Sequence, residues 1–422
     1  MTLLYTGVRK DDARLRAGAF HDLQTVAQVQ LAAVPRRGGG GEGAGDLVVW
    51  DKVPGFVVEP PAALRDRLVG FRDPFVVQTE GTARLAEKHI VVGGGLRGEG
   101  GTALVYTARD VCGEWKFRGP LCSDKSGVTG PIWECPFVVG VPVEGAAAAG
   151  GGGTVDVLSV GHFPPDTTRT HVWLGRYDAD AFSYDIDSAA GPYLVDHGDA
   201  AYAPTCYVDG VGRVVLYGWV MERPGADTGR SAGCMTVPRV LSAVRGAPDG
   251  RLRLRQAPHP GLAGLREGPG WALPGPRVLA AGESVPLAPG VRGGAFEVEL
   301  ALRDPGGAGG GGVVELMVAG AAEAATVAVD TRGRTATFGV SPAGQRGDKA
   351  CPCEPDAGGT LRVRVFVDAS CVEVFCGATG QVITRRVHPG GGGLAFAVRH
   401  CGGSGSVEVT AATLWKMGSI WA

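Results

Sequence analysis

Leu361-Arg362-Val363-Arg364-Val365-Phe366-Val367-Asp368 alternates apolar and polar side chains, the period of a strand with one buried and one wet face. Cys371 to Phe375 and Gln381 to Arg386 follow across turn residues, and the pattern continues to Leu414-Trp415. Antiparallel strands of this kind predict a C-terminal β-sandwich. Upstream, Leu47 to Trp50, His89 to Val92, Thr102 to Thr107, Val155 to Val160, His171 to Tyr177 and Val214 to Val220 are short apolar runs rich in Val, Tyr and Trp, separated by Gly and Asp. Almost nothing shows a sustained helical period, so the expected fold is all-β. The strand pattern of Leu252 to Pro258 breaks at His259, Pro260 and Gly261, and the leucine-spaced Leu262 to Leu265 reads as a linker with one helical turn. The domains expected are residues 1–258, a linker at 259–272 and a sandwich at 273–422.

Composition narrows the function. The chain has 422 residues and 44% apolar content, ample for more than one core. Its 41 basic and 43 acidic residues give a formal charge of −2 without a basic block, which argues against nucleic acid and membrane surfaces as partners. No stretch of 18 apolar residues occurs, and Met1 to Gly7 lacks a basic start and a long apolar core, so the chain as given shows neither signal peptide nor membrane span. Ten cysteines include no paired CxxC units, and Cys351-Pro352-Cys353 is too tight for one, so no structural zinc site is expected. Disulfides and free buried thiols both remain open. Many of the 71 glycines fall in runs, Gly38–Gly41, Gly150–Gly153 and Gly309–Gly312, which read as flexible loop insertions. Gly93-Gly94-Gly95-Leu96-Arg97-Gly98 matches a GxGxxG spacing, but the strand-type run Thr102 to Thr107 follows where a dinucleotide fingerprint needs a helix. A hairpin is expected there, not nucleotide binding.

Chemistry gathers at Ile132-Trp133-Glu134-Cys135-Pro136-Phe137-Val138-Val139 and, 61 residues before Glu134, at Asp73 in Phe71-Arg72-Asp73-Pro74. A carboxyl held against Trp133 in an apolar run would keep its proton to unusually high pH, as a general acid requires. Asp73 stands before a proline expected to hold its backbone extended. Two carboxylates in two such settings suggest glycosidic bond chemistry. The competing reading makes Arg72 and Asp73 a turn ion pair and Glu134 a strand-edge residue.

These motifs resemble those of glycoside hydrolase family 32, the invertases (β-fructofuranosidases), fructan exohydrolases and related fructosyltransferases. Phe71-Arg72-Asp73-Pro74 resembles the family's RDP motif and Trp133-Glu134-Cys135-Pro136 its EC motif. Tyr202-Ala203-Pro204-Thr205 resembles a strand entering the pocket, and Gly218-Trp219 and Met235-Thr236-Val237-Pro238-Arg239 the last propeller blade. Val367 to Phe375 followed by Val382-Ile383-Thr384-Arg385 resembles a sandwich pattern of the family. Cys206 after Thr205 departs from it, close to where an aromatic is usual. Stretches resembling WMNDPNG, whose Asp is the family nucleophile, and WSGS do not occur, and Leu3-Leu4-Tyr5-Thr6-Gly7 resembles a strand downstream of both.

The resemblance implies an incomplete five-bladed β-propeller, lacking at least its first blade, followed by a β-sandwich. It implies retaining hydrolysis of sucrose or fructan-type carbohydrate, with Glu134 as acid/base and Asp73 as the stabiliser of an oxocarbenium-like transition state. Arg72, Trp133 and Tyr202 are the implied substrate contacts. For Arg72 a structural ion pair, and for Trp133 plain core packing, weigh about equally. No metal or organic cofactor is implied. Family members suggest an extracellular, cell-wall or vacuolar location. Asp51, Asp124 and Asp199 lie in ordinary loop or strand-end contexts, so no replacement nucleophile is expected. A non-catalytic sugar-binding descendant and a fructosyltransferase are the alternatives.

Overall fold

Four of the strands anticipated from the sequence, Val214–Val220, Leu252–Pro258, Leu361–Asp368 and Gln381–Arg386, form over those residues and no others. The structure is a computed structural model describing residues 1–9, 27–36, 47–145, 153–162, 169–222, 232–246, 249–305, 311–341, 350–390, 393–403 and 405–420. The glycine runs at 38–41, 150–152 and 309–310 lie outside them. Contacts divide the chain into two units, Met1–Tyr193 and Leu194–Ala422.

The first unit is a succession of antiparallel sheets. Strands β1 (Leu3–Arg9), β2 (Ala27–Pro35) and β3 (Trp50–Lys52) form the first sheet. β4 (Leu68–Val76), β5 (Lys88–Leu96), β6 (Gly100–Ala108) and β7 (Lys116–Ser123) form the second, in that order. β8 (Trp133–Pro142), β9 (Thr154–His162) and β10 (Arg169–Gly175) continue the pattern; a small hairpin of β11 (Tyr177–Asp178) and β12 (Ser183–Tyr184) precedes β13 (Ala190–Leu194), which completes the third sheet beside β10. Such up-and-down sheets are of the kind that make propeller blades. The run at Leu47 to Trp50 pairs only from Trp50 onward, because Leu47 has φ 56 and Val48 and Val49 stay exposed.

From Ile90 onward β5 carries no polar side chain, because its sheet is covered on both faces. Ile90 and Val92 enter one core with Phe71, Leu68 and Leu104, while Val91 enters another with Trp133, Val138 and Leu158. The strand runs through the three glycines to Leu96 and turns into β6, with Leu96 opposite Gly100. The GxGxxG stretch is thus a hairpin, and its glycines serve packing. A Cβ on Gly93, Gly94 or Gly95 would collide with the carbonyl oxygens of Trp133, Gly70 and Pro131 respectively, so their bareness lets the chain around β4 and the entry to β8 press onto β5.

The second unit begins with β14 (Ala201–Val208), β15 (Val214–Val220), β17 (Arg239–Arg245) and β18 (Leu252–Pro258) in one sheet, with β16 (Cys234–Met235) also on β15. The segment 259–272 holds the expected turn, Pro260–Leu265. Its second half, Arg266–Ala272, is already strand β19, paired with the last strand and packing Trp271 on the sandwich core. β20 (Arg277–Leu279), β21 (Ser284–Leu287), β22 (Ala295–Arg303), β23 (Val313–Ala319), β24 (Ala324–Asp330), β25 (Thr335–Ser341), β26 (Cys351–Pro352), β27 (Leu361–Asp368), β28 (Cys371–Cys376), β29 (Gln381–Arg386), β30 (Ala395–Gly402) and β31 (Val407–Met417) follow. They make two sheets, β19-β31-β22-β27-β28-β29 with β20 on β31, and β21-β30-β23-β24-β25-β26. Phe296, Val298, Leu300 and Leu302 of β22 meet Val363, Val365 and Val367 of β27 in one core. On the other face Glu297 is gripped by Arg266 and Arg364.

Arg239 joins the sheet of β14–β18 to the sandwich. Its guanidinium is 1% exposed. It donates to Glu373 Oε2 at 2.6 Å, Thr384 Oγ1 at 2.8 Å, Asp196 Oδ2 at 3.0 Å and Gln256 Oε1 at 3.2 Å. Two carboxylates and two neutral acceptors thus surround one cation, and removing it would leave buried charge uncompensated. Arg239→Ala should cost roughly 3–5 kcal/mol in denaturant unfolding. Pairing it with Glu373→Ala should cost less than the sum of the two single losses. Additive losses would mean that the cluster does not act as a unit.

Candidate active site

Asp73 and Glu134 are brought together by one local device used twice. The β4–β5 ladder slips between Arg72 and Phe75, and the β8–β9 ladder between Glu134 and Phe137. Each slip holds a left-handed residue ahead of a proline, Asp73 at φ 60 before Pro74 and Cys135 at φ 47 before Pro136. The expectation of an extended Asp73 is therefore corrected. The proline bars the right-handed helical region, and Asp73 meets that restriction in the left-handed region, which short acidic side chains tolerate. Such bulges re-aim side chains, and left-handed non-glycine residues gather at functional sites. In the second unit β14 repeats the device, slipping between Tyr202 and Thr205 with Ala203 at φ 46 before Pro204.

The two motifs interlock. Arg72 Nη1 lies 3.2 Å from Glu134 Oε1, with the two side chains 11% and 13% exposed. The Cys135 amide donates to Asp73 Oδ2 at 2.9 Å, and the Cys135 thiol faces the same oxygen at 3.6 Å. The ion pair of Arg72 is with Glu134 rather than with Asp73. Burial pushes the Asp73 carboxyl up from its ordinary range; the Cys135 amide and the Arg72 charge pull it down without winning, and the Glu134 charge adds to the rise. Burial, followed by the charges of Asp73 and Glu134, drives the Cys135 thiol well up, so it remains a protonated donor to Asp73.

Trp133 does not stand against Glu134. Successive strand residues point to opposite faces, and the indole is fully buried in the core with Trp173, donating from Nε1 to Thr129 Oγ1 at 2.8 Å. Tyr202 is buried in the second unit, opposite Trp219 in the ladder to β15. Asp51 pairs with Arg36 at 2.5 Å and Asp199 with Arg385 at 2.9 Å. Asp124 accepts from the amides and hydroxyls of Ser126 and Thr129, shaping the turn that in turn anchors Trp133.

Sequence reasoning missed the groups that hold Asp73 from below. Gln28 Oε1 accepts from the Phe71 amide at 2.7 Å, and Gln30 Nε2 donates to the Phe71 carbonyl at 2.9 Å. Thr6 Oγ1 accepts from the Asp73 amide and donates to Gln30 Oε1, each at 2.9 Å. Both glutamines are buried. The signal was the alternation Gln28-Val29-Gln30-Leu31, a strand whose polar side chains face inward.

A carboxyl whose folded-state pKa is raised opposes folding when it ionises. Stability is lost as pH climbs from the unfolded value, about 3.9, through the folded one, and stays lower above it. Asp73→Asn, which keeps an acceptor for the Cys135 amide, should therefore be at least as stable as the wild type at pH 7, with its advantage vanishing near pH 3. Urea unfolding at the two pH values checks this, and a variant clearly less stable at pH 7 would show that the ionised form is the favoured one.

Comparison with known proteins follows the same division of the chain. The sequence profile of the Glycosyl hydrolases family 32 N-terminal domain matches residues 1–258, and that of the family 32 C-terminal domain matches residues 278–416. The chain is 30% identical over 255 residues to a cell-wall β-fructofuranosidase of Zea mays, covering 57% of this chain and 38% of that one. It is 24% identical over 397 residues to a levanase of Bacillus subtilis, covering 88% and 53%. It therefore spans 38% and 53% of the length of these two relatives. Among solved structures, an exo-inulinase of Aspergillus awamori superposes with TM-score 0.73 at 20% identity, over 100% of this chain and 80% of that one. A fructan 1-exohydrolase IIa of Cichorium intybus in complex with 1-kestose superposes with TM-score 0.72 at 20% identity, over 99% and 81%. Both likenesses speak for the fold, a β-propeller followed by a β-sandwich, and the extent of the two profile matches establishes that the chain belongs to glycoside hydrolase family 32.

Proposed function

We propose that this chain carries the acid/base and charge-stabilising groups of a retaining glycosidase site for sucrose or fructan-type β-fructosides. The observation that carries the reading is the interlock of Arg72-Asp73 with Glu134-Cys135 through one ion pair and one amide hydrogen bond. Glu134 donates a proton to the departing oxygen and later takes one from the attacking water. Asp73 accepts hydrogen bonds from ring hydroxyls that strengthen as the sugar gains oxocarbenium character. Arg72 holds the Glu134 carboxylate in place, and Cys135 holds Asp73. Trp133 supports the strand from the core and makes no sugar contact in this reading. Tyr202, the other expected substrate contact, belongs to the second unit, and no step of this proposal rests on it. The working division is a catalytic region over residues 1–258 and a sandwich from Arg266 onward. Relatives that are β-fructofuranosidases and levanases support the substrate class.

A retaining reaction also needs a nucleophilic carboxylate. Asp51 and Asp199 sit in ion pairs and Asp124 in a turn, so this chain alone should release glucose from sucrose at close to background. A chimera given a family-type N-terminal stretch should gain turnover. In it, Glu134→Gln should lower sucrose hydrolysis by roughly 10²–10⁴-fold, the usual worth of general acid/base catalysis, and far less on a substrate with a good leaving group. Robust release by the chain alone would mean that one of its own carboxylates attacks. An unreactive chain that binds 1-kestose in calorimetry, with binding lost in Asp73→Ala, would favour the sugar-binding alternative.

A further inference from the structure

All ten cysteines are free thiols, and two of them, both in the second unit, meet across sheets. Cys234 lies on the short strand β16, directly opposite Val220 of β15. Val220 is buried in a small cluster with Ala200 and Cys371. Cys371 opens β28, directly opposite Arg386 of β29, and Arg386 Nη1 donates to Cys234 Sγ at 3.3 Å. Val220 therefore links the two cysteines, pairing with Cys234 in the ladder and packing in one cluster with Cys371, while Arg386 ties Cys234 to the strand beside Cys371. Cys234 is exposed and Cys371 is buried, so one sulfur is open to a reagent and the other waits behind it.

We propose that Cys234 and Cys371 form a redox modification site, in which Cys234 is oxidised by a hydroperoxide and Cys371 resolves the product to a reversible disulfide between β16 and β28. The Cys234 thiolate attacks one oxygen of the hydroperoxide, the O–O bond breaks, and an alcohol leaves with a proton, giving a sulfenic acid. The Cys371 sulfur then attacks Cys234; the S–S bond forms, the S–O bond breaks, and water leaves with the Cys371 proton. Two thiols lose two electrons in total and one hydroperoxide gains them. The neighbouring Cys371 side chain and the charge of Arg386 push the Cys234 thiol down from its ordinary range, which raises the share of the reactive form. Cys351, Cys353 and Cys376 also share one core, but all three are buried, whereas Cys234 is exposed.

The test is peptide mass mapping of the purified chain after limiting cumene hydroperoxide, without reduction. A Cys234–Cys371 linked peptide that dithiothreitol releases is the expected result. In Cys371→Ala, Cys234 should instead accumulate as a sulfenic acid that dimedone traps. Cys234→Ser, which changes only an exposed position, should give neither product. Arg386→Gln should slow Cys234 alkylation at pH 7 several-fold. Cys234 ending as a sulfinic acid in the wild type with no linked peptide, or a linkage that joins other cysteines, would overturn the assignment.

Discussion

A proline that closes the right-handed helical region to its predecessor is the constraint on which the site depends. At Asp73, Cys135 and Ala203 the residue ahead of the proline takes the left-handed conformation instead, and the ladder slips by one residue in each case. The bulge turns the preceding side chain, Arg72, Glu134 or Tyr202, away from the register that the rest of its strand obeys. Without it Arg72 and Glu134 would follow the alternation of a regular strand. With it they reach one another over 61 intervening positions and form an ion pair of nearly buried groups.

That arrangement is held at a cost. Left-handed non-glycine residues are strained, and burial of the Asp73 carboxyl works against its charge. The surroundings offset both. The Cys135 amide supplies the hydrogen bond that a charged Asp73 needs, and Thr6, Gln28 and Gln30 fix the backbone on either side. A site whose charged groups are dear to bury and whose supports lie on other strands of the same unit is preorganised rather than relaxed, the usual condition for electrostatic work on a substrate.

Legibility of the fold tracked the range of the physics involved. Period-two alternation is local, so Leu361–Asp368 and Gln381–Arg386 could be read to the residue. The carboxylates were legible because each sits in a short motif. What could not be read depended on partners remote in sequence. Burial of β5 on both faces erased its alternation, and the inward-facing Gln28 and Gln30 look like solvent residues until Phe71 is placed above them. The direction of Trp133 was lost for a simpler reason: a residue next to Glu134 in sequence lies on the other face of the strand, so proximity in the motif implied the wrong neighbour. The left-handed Asp73 lay beyond a rule that names the favoured region without excluding the rarer one.

Gly93, Gly94 and Gly95 carry that point into mutational tolerance. Each faces a carbonyl oxygen of another segment, so none has room for a methyl group. Substitution scanning would mark the three as no more replaceable than Glu134, although no reacting atom is near their purpose. Intolerance of that kind maps where backbone meets backbone, and in this chain a stretch with no room for side chains and the chemically equipped one are neighbours by architecture, doing different jobs.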